Sequence, residues 1–162
     1  MYKTVYLGLG TNLGDKFGNI QNALNALRQK FGKPIKVSSV YESDAWGFNS
    51  PDSFFNLVAS YKIKLNARET LNICLSIEKK LGRKKKTGST YESRVIDIDI
   101  LFFGNLIIDD CDLQIPHPLI NKRLFVLEPL LEICRNENIL NEYNYFFTKL
   151  KSTQSVKKVR EI

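Results

Sequence analysis

Residues 94–104, RVIDIDILFFG, put two aspartates inside one of the most apolar runs of a 162-residue chain. The run is rich in β-branched and aromatic residues and ends at Gly104-Asn105, which reads as a strand closed by a turn. Side chains alternate faces along a strand, so Ile96, Ile98 and Ile100 point one way and Asp97 and Asp99 the other. The two aspartate Cα atoms are then about 6.6–6.8 Å apart, two strand rises. A fold that buries the isoleucine face must leave the aspartate face wet or set it beside positive charge, because an unpaired buried carboxylate is costly and two adjacent ones more so. Two readings stay open from spacing alone. One is an edge strand with a solvated polar face. The other is a divalent-cation site, whose hard oxygen donors suit Mg²⁺.

The segment leading into this strand bears on the choice. Residues 83–93, RKKKTGSTYES, are basic and rich in Gly, Ser and Thr. Such a segment is a solvated connector unless an anion neutralises it. Its place next to two carboxylates favours the cation reading, since a polyphosphate needs metal on some oxygens and Arg or Lys on others. The net charge of +7 also favours an anionic partner.

Hydrophobic periodicity orders the rest of the chain. Residues 3–10 alternate as a first strand, with Val5, Leu7 and Leu9 on one face. GLGTNLGD follows. Its glycine spacing departs from a dinucleotide fingerprint, so the expectation is a tight strand-to-helix turn. Phe17, Ile20, Leu24, Leu27 and Phe31 fall at helical spacing, and Gly32 and Pro34 end that helix. Residues 35–43 read as a second strand, residues 44–53 as a loop carrying Trp46 and Phe48, and residues 54–65 as a long third strand. On that strand Asn56 shares a face with Phe54 and Val58, an unusual place for an amide. Asn66 and Glu69 have capping-box spacing at the start of a second helix. Its apolar stripe runs through Leu71, Cys74 and Leu75 to Glu78, and Gly82 closes it. Glu78 there either pairs with a base or ligand, or reaches solvent at the end of the stripe. After Gly104, residues 106–108 suit a short hairpin strand, His117 lies in the stiff Pro116-His117-Pro118 loop, and residues 124–133 suit a short buried segment or helix interrupted at Pro129.

The order strand, helix, strand, strand, helix, strand predicts an α+β fold. Its core is a ferredoxin-like βαββαβ unit, a mostly antiparallel sheet with helices packed on it and C-terminal additions. Length and the absence of a repeat or linker predict one domain over residues 1–162, with a polar, solvated tail from about residue 150. No window suits a membrane span, and MYKTVYLGLG lacks a signal-peptide core. Cys74, Cys111 and Cys134 are too widely spaced for a metal site, and the chain has a single histidine. The expected setting is cytoplasmic, with reduced thiols.

GLGTNLGD, YESDAWGF, FFNLV, IEKKLGR, SRVIDIDILFFG and IPHPLINKRLFVLEPL, in that order over residues 1–133, resemble the 6-hydroxymethyl-7,8-dihydropterin pyrophosphokinase family. The resemblance implies transfer of pyrophosphate from ATP to the hydroxymethyl group of a dihydropterin, with AMP released, in folate biosynthesis. It implies that Asp97 and Asp99 hold two Mg²⁺ ions bridging the ATP phosphates. Arg83 and Arg94 correspond to catalytic residues on the triphosphate. Glu78, Lys85, Ile100, His117 and Arg123 correspond to nucleotide-side positions. Asn56 corresponds to the amide that reads the pterin edge, and Phe54 and Phe125 to the aromatics on either side of the ring. Ser43, Asp44 and Trp46 correspond to the loop at the pterin rim. The chain departs from the family in two places. Tyr91-Glu92-Ser93 stands where many members have Trp-Gly-Pro, and Ser43-Asp44-Ala45 where a Thr-Pro-Pro-like run is common. Both substrates are small molecules, so the expected partners include no nucleic acid and no membrane, and the chain is expected to be a monomer. The alternatives are another Mg²⁺-dependent nucleotidyl or phosphoryl transferase, and a basic RNA-binding module. The first leaves Phe54, Asn56 and Phe125 without a joint purpose. The second leaves two aspartates that would repel phosphate.

Overall fold

The computed structural model describes residues 1–83 and 93–162. Its elements run β1 (Lys3–Thr11), α1 (Lys16–Phe31), β2 (Lys36–Val37), β3 (Val40–Ser43), β4 (Phe54–Ile63), α2 (Ala67–Lys80), β5 (Asp97–Phe103), β6 (Ile108–Asp109) and β7 (Gln114–Ile115). A 3-10 helix (Ile120–Lys122), α3 (Leu124–Ile133), α4 (Glu137–Lys151) and β8 (Val156–Arg160) complete the order. The main sheet has the order β5-β1-β4-β3-β8, with each neighbouring pair antiparallel and β2 also on β4. The ferredoxin-like core expected from the element order is therefore present, with β8 as an added edge strand.

Strand alternation divides the molecule into two packed layers. Val5, Leu7 and Leu9 of β1, Phe55, Leu57 and Ala59 of β4, and Ile96, Ile98 and Ile100 close against Ile20, Ala23, Leu24 and Leu27 of α1 and Cys74 and Ile77 of α2. The opposite sheet face carries Tyr6, Val58, Leu101 and Phe102, which pack on Leu127, Leu130 and Ile133 of α3 and Ile139 and Tyr143 of α4. Leu101 is an extra residue opposite β1, between the pairs Tyr6↔Phe102 and Leu7↔Ile100. This bulge keeps Leu101 and Phe102 on the same face and so breaks strict alternation at the end of β5.

Several expectations are corrected. The first strand, expected to end at Gly10, runs one residue further, to Thr11, and the residues after it turn the chain. The second strand is split in two at Ser38-Ser39. The Ser38 hydroxyl accepts from Val58 N–H at 2.9 Å and donates to the Ser39 carbonyl at 2.8 Å, replacing ladder bonds. β6 pairs with β7 and forms no hairpin with β5. Pro129 lies inside α3 and does not break it. Residues beyond 150 are mostly exposed, yet they carry regular structure. α4 runs to Lys151, and β8 pairs with β3 through Tyr41↔Lys158 and Glu42↔Lys157. Asn56, unusual for a strand, lies on β4 between β1 and β3 and is buried.

The capping box is present: the Asn66 side chain accepts from Glu69 N–H and the Glu69 carboxylate from Asn66 N–H, both at 2.8 Å. Asn66→Ala should destabilise the protein by about 1 kcal/mol. In thermal unfolding that is a fall of about 2–4 °C, while activity stays at the starting level.

Candidate active site

The α3–α4 layer covers only part of its sheet face. Beyond Val58 and Leu101 the face is bare, and the reason lies in β1. Gly8 pairs with Val58 on one side and Asp99 on the other, and Gly10 with Asn56 and Asp97. Two residues without side chains therefore separate the amide from the carboxylates. A Cβ on Gly8 would come within 3.3 Å of the Leu101 side chain, and one on Gly10 within 3.4 Å of the Asn56 amide oxygen. The cavity above this glycine floor is walled by Ser43, Asp44, Trp46, Phe48, Phe54, Asn56, Arg123 and Phe125. The Asn56 amide donates to the Ser43 hydroxyl at 3.0 Å, which fixes its orientation. The rings sit edge to face, Trp46 on Phe125 at 6.5 Å and Phe48 on Phe54 at 6.0 Å between centroids. Such a wall suits a flat, heteroatom-bearing ring.

A second, more open cavity adjoins the first. Leu71, Glu78, Arg83, Ile98, Ile100, His117 and Arg123 line it. Asp97, Asp99, Arg94 and Arg123 line both, so the aspartate pair stands where the two cavities meet.

The basic residues reach this junction through local folding. Gly82, at φ +99°, lets the chain reverse after α2, with Gly82 N–H on the Lys79 carbonyl and Arg83 N–H on the Glu78 carbonyl. That reversal lays the Arg83 guanidinium between Glu78, which it contacts directly, and Asp97 at 2.7 Å. Arg94 reaches the other oxygen of Asp97 at 2.5 Å. The Asn12 side chain holds Arg94 in place: its oxygen accepts from Arg94 N–H at 2.7 Å, and its amide donates to Ser93 Oγ at 2.9 Å.

Glu78 is 2% exposed and does not reach solvent. Its Oε1 accepts from Ile98 N–H at 2.7 Å, so it occupies a backbone donor on the free edge of β5. Burial, reinforced by Asp97, raises its pKa to about 7 against the opposing pull of Arg83. Asp99 is pushed upward too, by desolvation first and Asp97 second, with Arg123, Arg94 and Arg83 opposing. With 39% of its side chain open to the cavity, solvent weakens that push. His117 N–H donates to the Leu101 carbonyl, again on the β5 edge, and its Nδ1 accepts from Leu119 N–H at 3.2 Å. The ring proton therefore sits on Nε2, facing Asp99 at 3.8 Å. Burial and Arg123 lower the His117 pKa to about 4, so this contact joins a neutral imidazole to the carboxyl and is not an ion pair.

The described residues include every site position expected from the sequence except Lys85, which lies outside them, as does Tyr91. Ser43, Asp44, Trp46, Phe54, Asn56 and Phe125 gather round the first cavity, and Glu78, Arg83, Ile100, His117 and Arg123 round the second. Sequence reasoning passed over Gly8, Gly10 and Asn12. The available signal was register: glycines alternate along β1 in step with the aspartates of β5.

Residues 6–135 match the family model described as 7,8-dihydro-6-hydroxymethylpterin-pyrophosphokinase. The chain is 43% identical over 133 residues to the 2-amino-4-hydroxy-6-hydroxymethyldihydropteridine pyrophosphokinase of Aquifex aeolicus, covering 82% of this chain and 81% of that protein. It is 38% identical over 136 residues to the protein of the same description in Bacillus subtilis, covering 83% and 80%. A Plasmodium falciparum HPPK-DHPS crystal structure superimposes with a TM-score of 0.71 at 18% identity, covering 94% of this chain and 44% of that longer one, a likeness of fold.

Because the folded state refuses a proton that the unfolded chain accepts near pH 6.5, His117 should remove stability as pH falls from about 6.5 towards 4. It is the only histidine, so one imidazole resonance reports on it. In metal-free protein its NMR titration should have a midpoint near 4; a midpoint near the ordinary 6.5 would contradict the buried, neutral ring.

Proposed function

The chain belongs to the 7,8-dihydro-6-hydroxymethylpterin-pyrophosphokinase family, and on that premise we propose that it transfers pyrophosphate from ATP to 6-hydroxymethyl-7,8-dihydropterin and releases AMP. The observation that carries this reading is the aspartate pair at the meeting point of an aromatic, amide-bearing cavity and a basic one. The pterin would lie over Gly8 and Gly10 with its edge on Asn56 and its faces towards Phe54 and Phe125. The nucleotide would lie along Glu78, Ile100, His117 and Arg123.

In the proposed reaction the pterin hydroxyl oxygen bonds to the β-phosphorus of ATP. The bond from that phosphorus to the oxygen bridging the α-phosphate breaks, AMP leaves with the electron pair, and the hydroxyl proton passes to solvent. Asp97 and Asp99 offer only oxygen donors, the set Mg²⁺ prefers. Desolvation and mutual repulsion hold Asp99 towards its protonated form, and a cation between the carboxylates would relieve both. They would hold two Mg²⁺ ions, which supply charge neutralisation and alignment for the phosphates when bound. In the described state the Asp97 oxygens already face Arg83 and Arg94. Each oxygen has a further lone pair for a metal, and the guanidiniums stay close enough to meet charge gathering on the phosphoryl oxygens. Positioning and electrostatics then account for catalysis without a strong side-chain base.

Among the described residues no helix is long and apolar enough to cross a membrane. Cys74 and Cys134 are buried free thiols and Cys111 is an exposed one, which supports a reducing, cytoplasmic setting. We propose a monomer that acts on these small molecules and not on nucleic acid. Relatives named as pyrophosphokinases favour neither alternative transferase chemistry nor RNA binding.

The direct test is AMP formation from ATP and hydroxymethyldihydropterin. Asp97→Ala should lower turnover by at least roughly a hundredfold while pterin binding persists; near-normal turnover would sink the metal assignment. Arg94→Ala should lower kcat roughly a hundredfold or more. A change confined to KM would reduce Arg94 to a binding residue.

A further inference from the structure

Arg123 joins the 3-10 helix to α3 in an extended conformation, φ −123° and ψ 100°, and is the N-cap of α3. It is 7% exposed, lies with its guanidinium 4.7 Å from the Trp46 ring centre and 5.7 Å from that of Phe125, and lines both cavities. Its own side chain makes no cap hydrogen bond. The first N–H of α3 therefore needs an acceptor from elsewhere.

That acceptor comes from residue 154, beyond the 6–135 segment matched by the family model. The Gln154 Oε1 accepts from Leu124 N–H at 2.9 Å, and its Nε2 donates to the Lys122 carbonyl at 2.8 Å. One primary amide thus grips the peptide groups on both sides of Arg123, as a neighbouring strand would. The partners settle which end of the amide is which, since an N–H needs the oxygen and a carbonyl needs the NH₂. Gln154 is itself held from both directions. Its backbone N–H donates to the Leu150 carbonyl at 2.8 Å at the end of α4, and β8 follows two residues later on the edge of the sheet.

We propose that Gln154 is a positioning residue for the reaction, which sets the backbone of Arg123 and, through it, the guanidinium against Trp46 and Phe125. The proposal rests on the pyrophosphokinase reading for its kinetic consequence and on the geometry alone for its structural one. The C-terminal segment is then part of the active-site support. A small rotation of the Arg123 backbone is amplified along a long side chain, and misplacement of about 1 Å can lower a rate about a hundredfold.

Three variants test it: Gln154→Leu, which removes both hydrogen bonds; Gln154→Glu, which keeps the acceptor and loses the donor; and Thr153→Ala as a control in the same turn. AMP formation, thermal unfolding and the emission of Trp46, the only tryptophan, are measured on each. Gln154→Leu should lose roughly tenfold or more in kcat/KM for ATP, shift the Trp46 emission, and lower Tm by no more than about 4 °C. Gln154→Glu should fall between it and the wild type, and Thr153→Ala should match the wild type. Should Gln154→Leu unfold, Gln154→Glu decides by the same two readouts. Wild-type kinetics and wild-type Trp46 emission in the folded Gln154 variants would overturn the proposal. A wild type that forms no AMP would defeat the pyrophosphokinase reading instead, and the Trp46 signal would then judge the clamp by itself.

Discussion

Asp97 carries a guanidinium on each carboxylate oxygen, Arg83 at 2.7 Å and Arg94 at 2.5 Å, and the site is arranged around that double contact. Without it, three carboxylates (Glu78, Asp97 and Asp99) would share a poorly solvated corner of β5 and repel one another. The two arginines stand at opposite ends of the basic 83–94 segment, so the double contact holds those two ends at one carboxylate. Each end has its own anchor. Gly82 reverses the chain at one end, and Asn12 grips Ser93 and Arg94 at the other. A second consequence concerns the edge of the sheet. β5 is an outer strand, and Glu78 and His117 occupy outward backbone groups at Ile98 and Leu101. The same residues that face the open cavity thus blunt an exposed edge.

The glycine floor of β1 is the complementary device. A sheet face covered by helices has no room for a ligand, and one covered by side chains has no access to its own backbone. Gly8 and Gly10 clear the space between Asn56 and the aspartates without removing β1 from the ladder. Glycine weakens a strand interior. Here β1 is a central strand paired along both edges, which supplies the stability that the glycines give up.

Where side-chain pattern determines structure, the chain was legible. The isoleucine–aspartate alternation of β5, the stripe of α1 and the Asn66–Glu69 box each state their own geometry, and the element order implied the ferredoxin-like core. The motif resemblance named residues that the fold then gathers round two adjoining cavities. Illegible features depend on partners distant in sequence. Gly8 and Gly10 read as part of the first strand, and only the register with Asn56 and Asp99 shows why residues without side chains stand there. Ser38 reads as a strand residue until its hydroxyl is seen to take the Val58 N–H. β8 has no apolar alternation, being exposed at Lys157, Lys158, Val159 and Arg160, and it is ordered by backbone pairing with β3 and by polar side-chain contacts, Lys158 with Glu132 and Arg160 over the Phe17 ring. Glu78 was odd in the sequence, and its two partners explain why a carboxylate lies in a buried stripe.

The central claim is that Asp97 and Asp99 act through a cation shared with a polyphosphate. Thermal unfolding with a non-hydrolysable ATP analogue, in Mg²⁺ and in EDTA, tests it most directly. At about a hundred times its Kd the analogue should stabilise the protein by about 2.7 kcal/mol in Mg²⁺, by little in EDTA, and further when a pterin is added. Equal stabilisation with and without Mg²⁺, or stabilisation by RNA and not by the nucleotide, would contradict it.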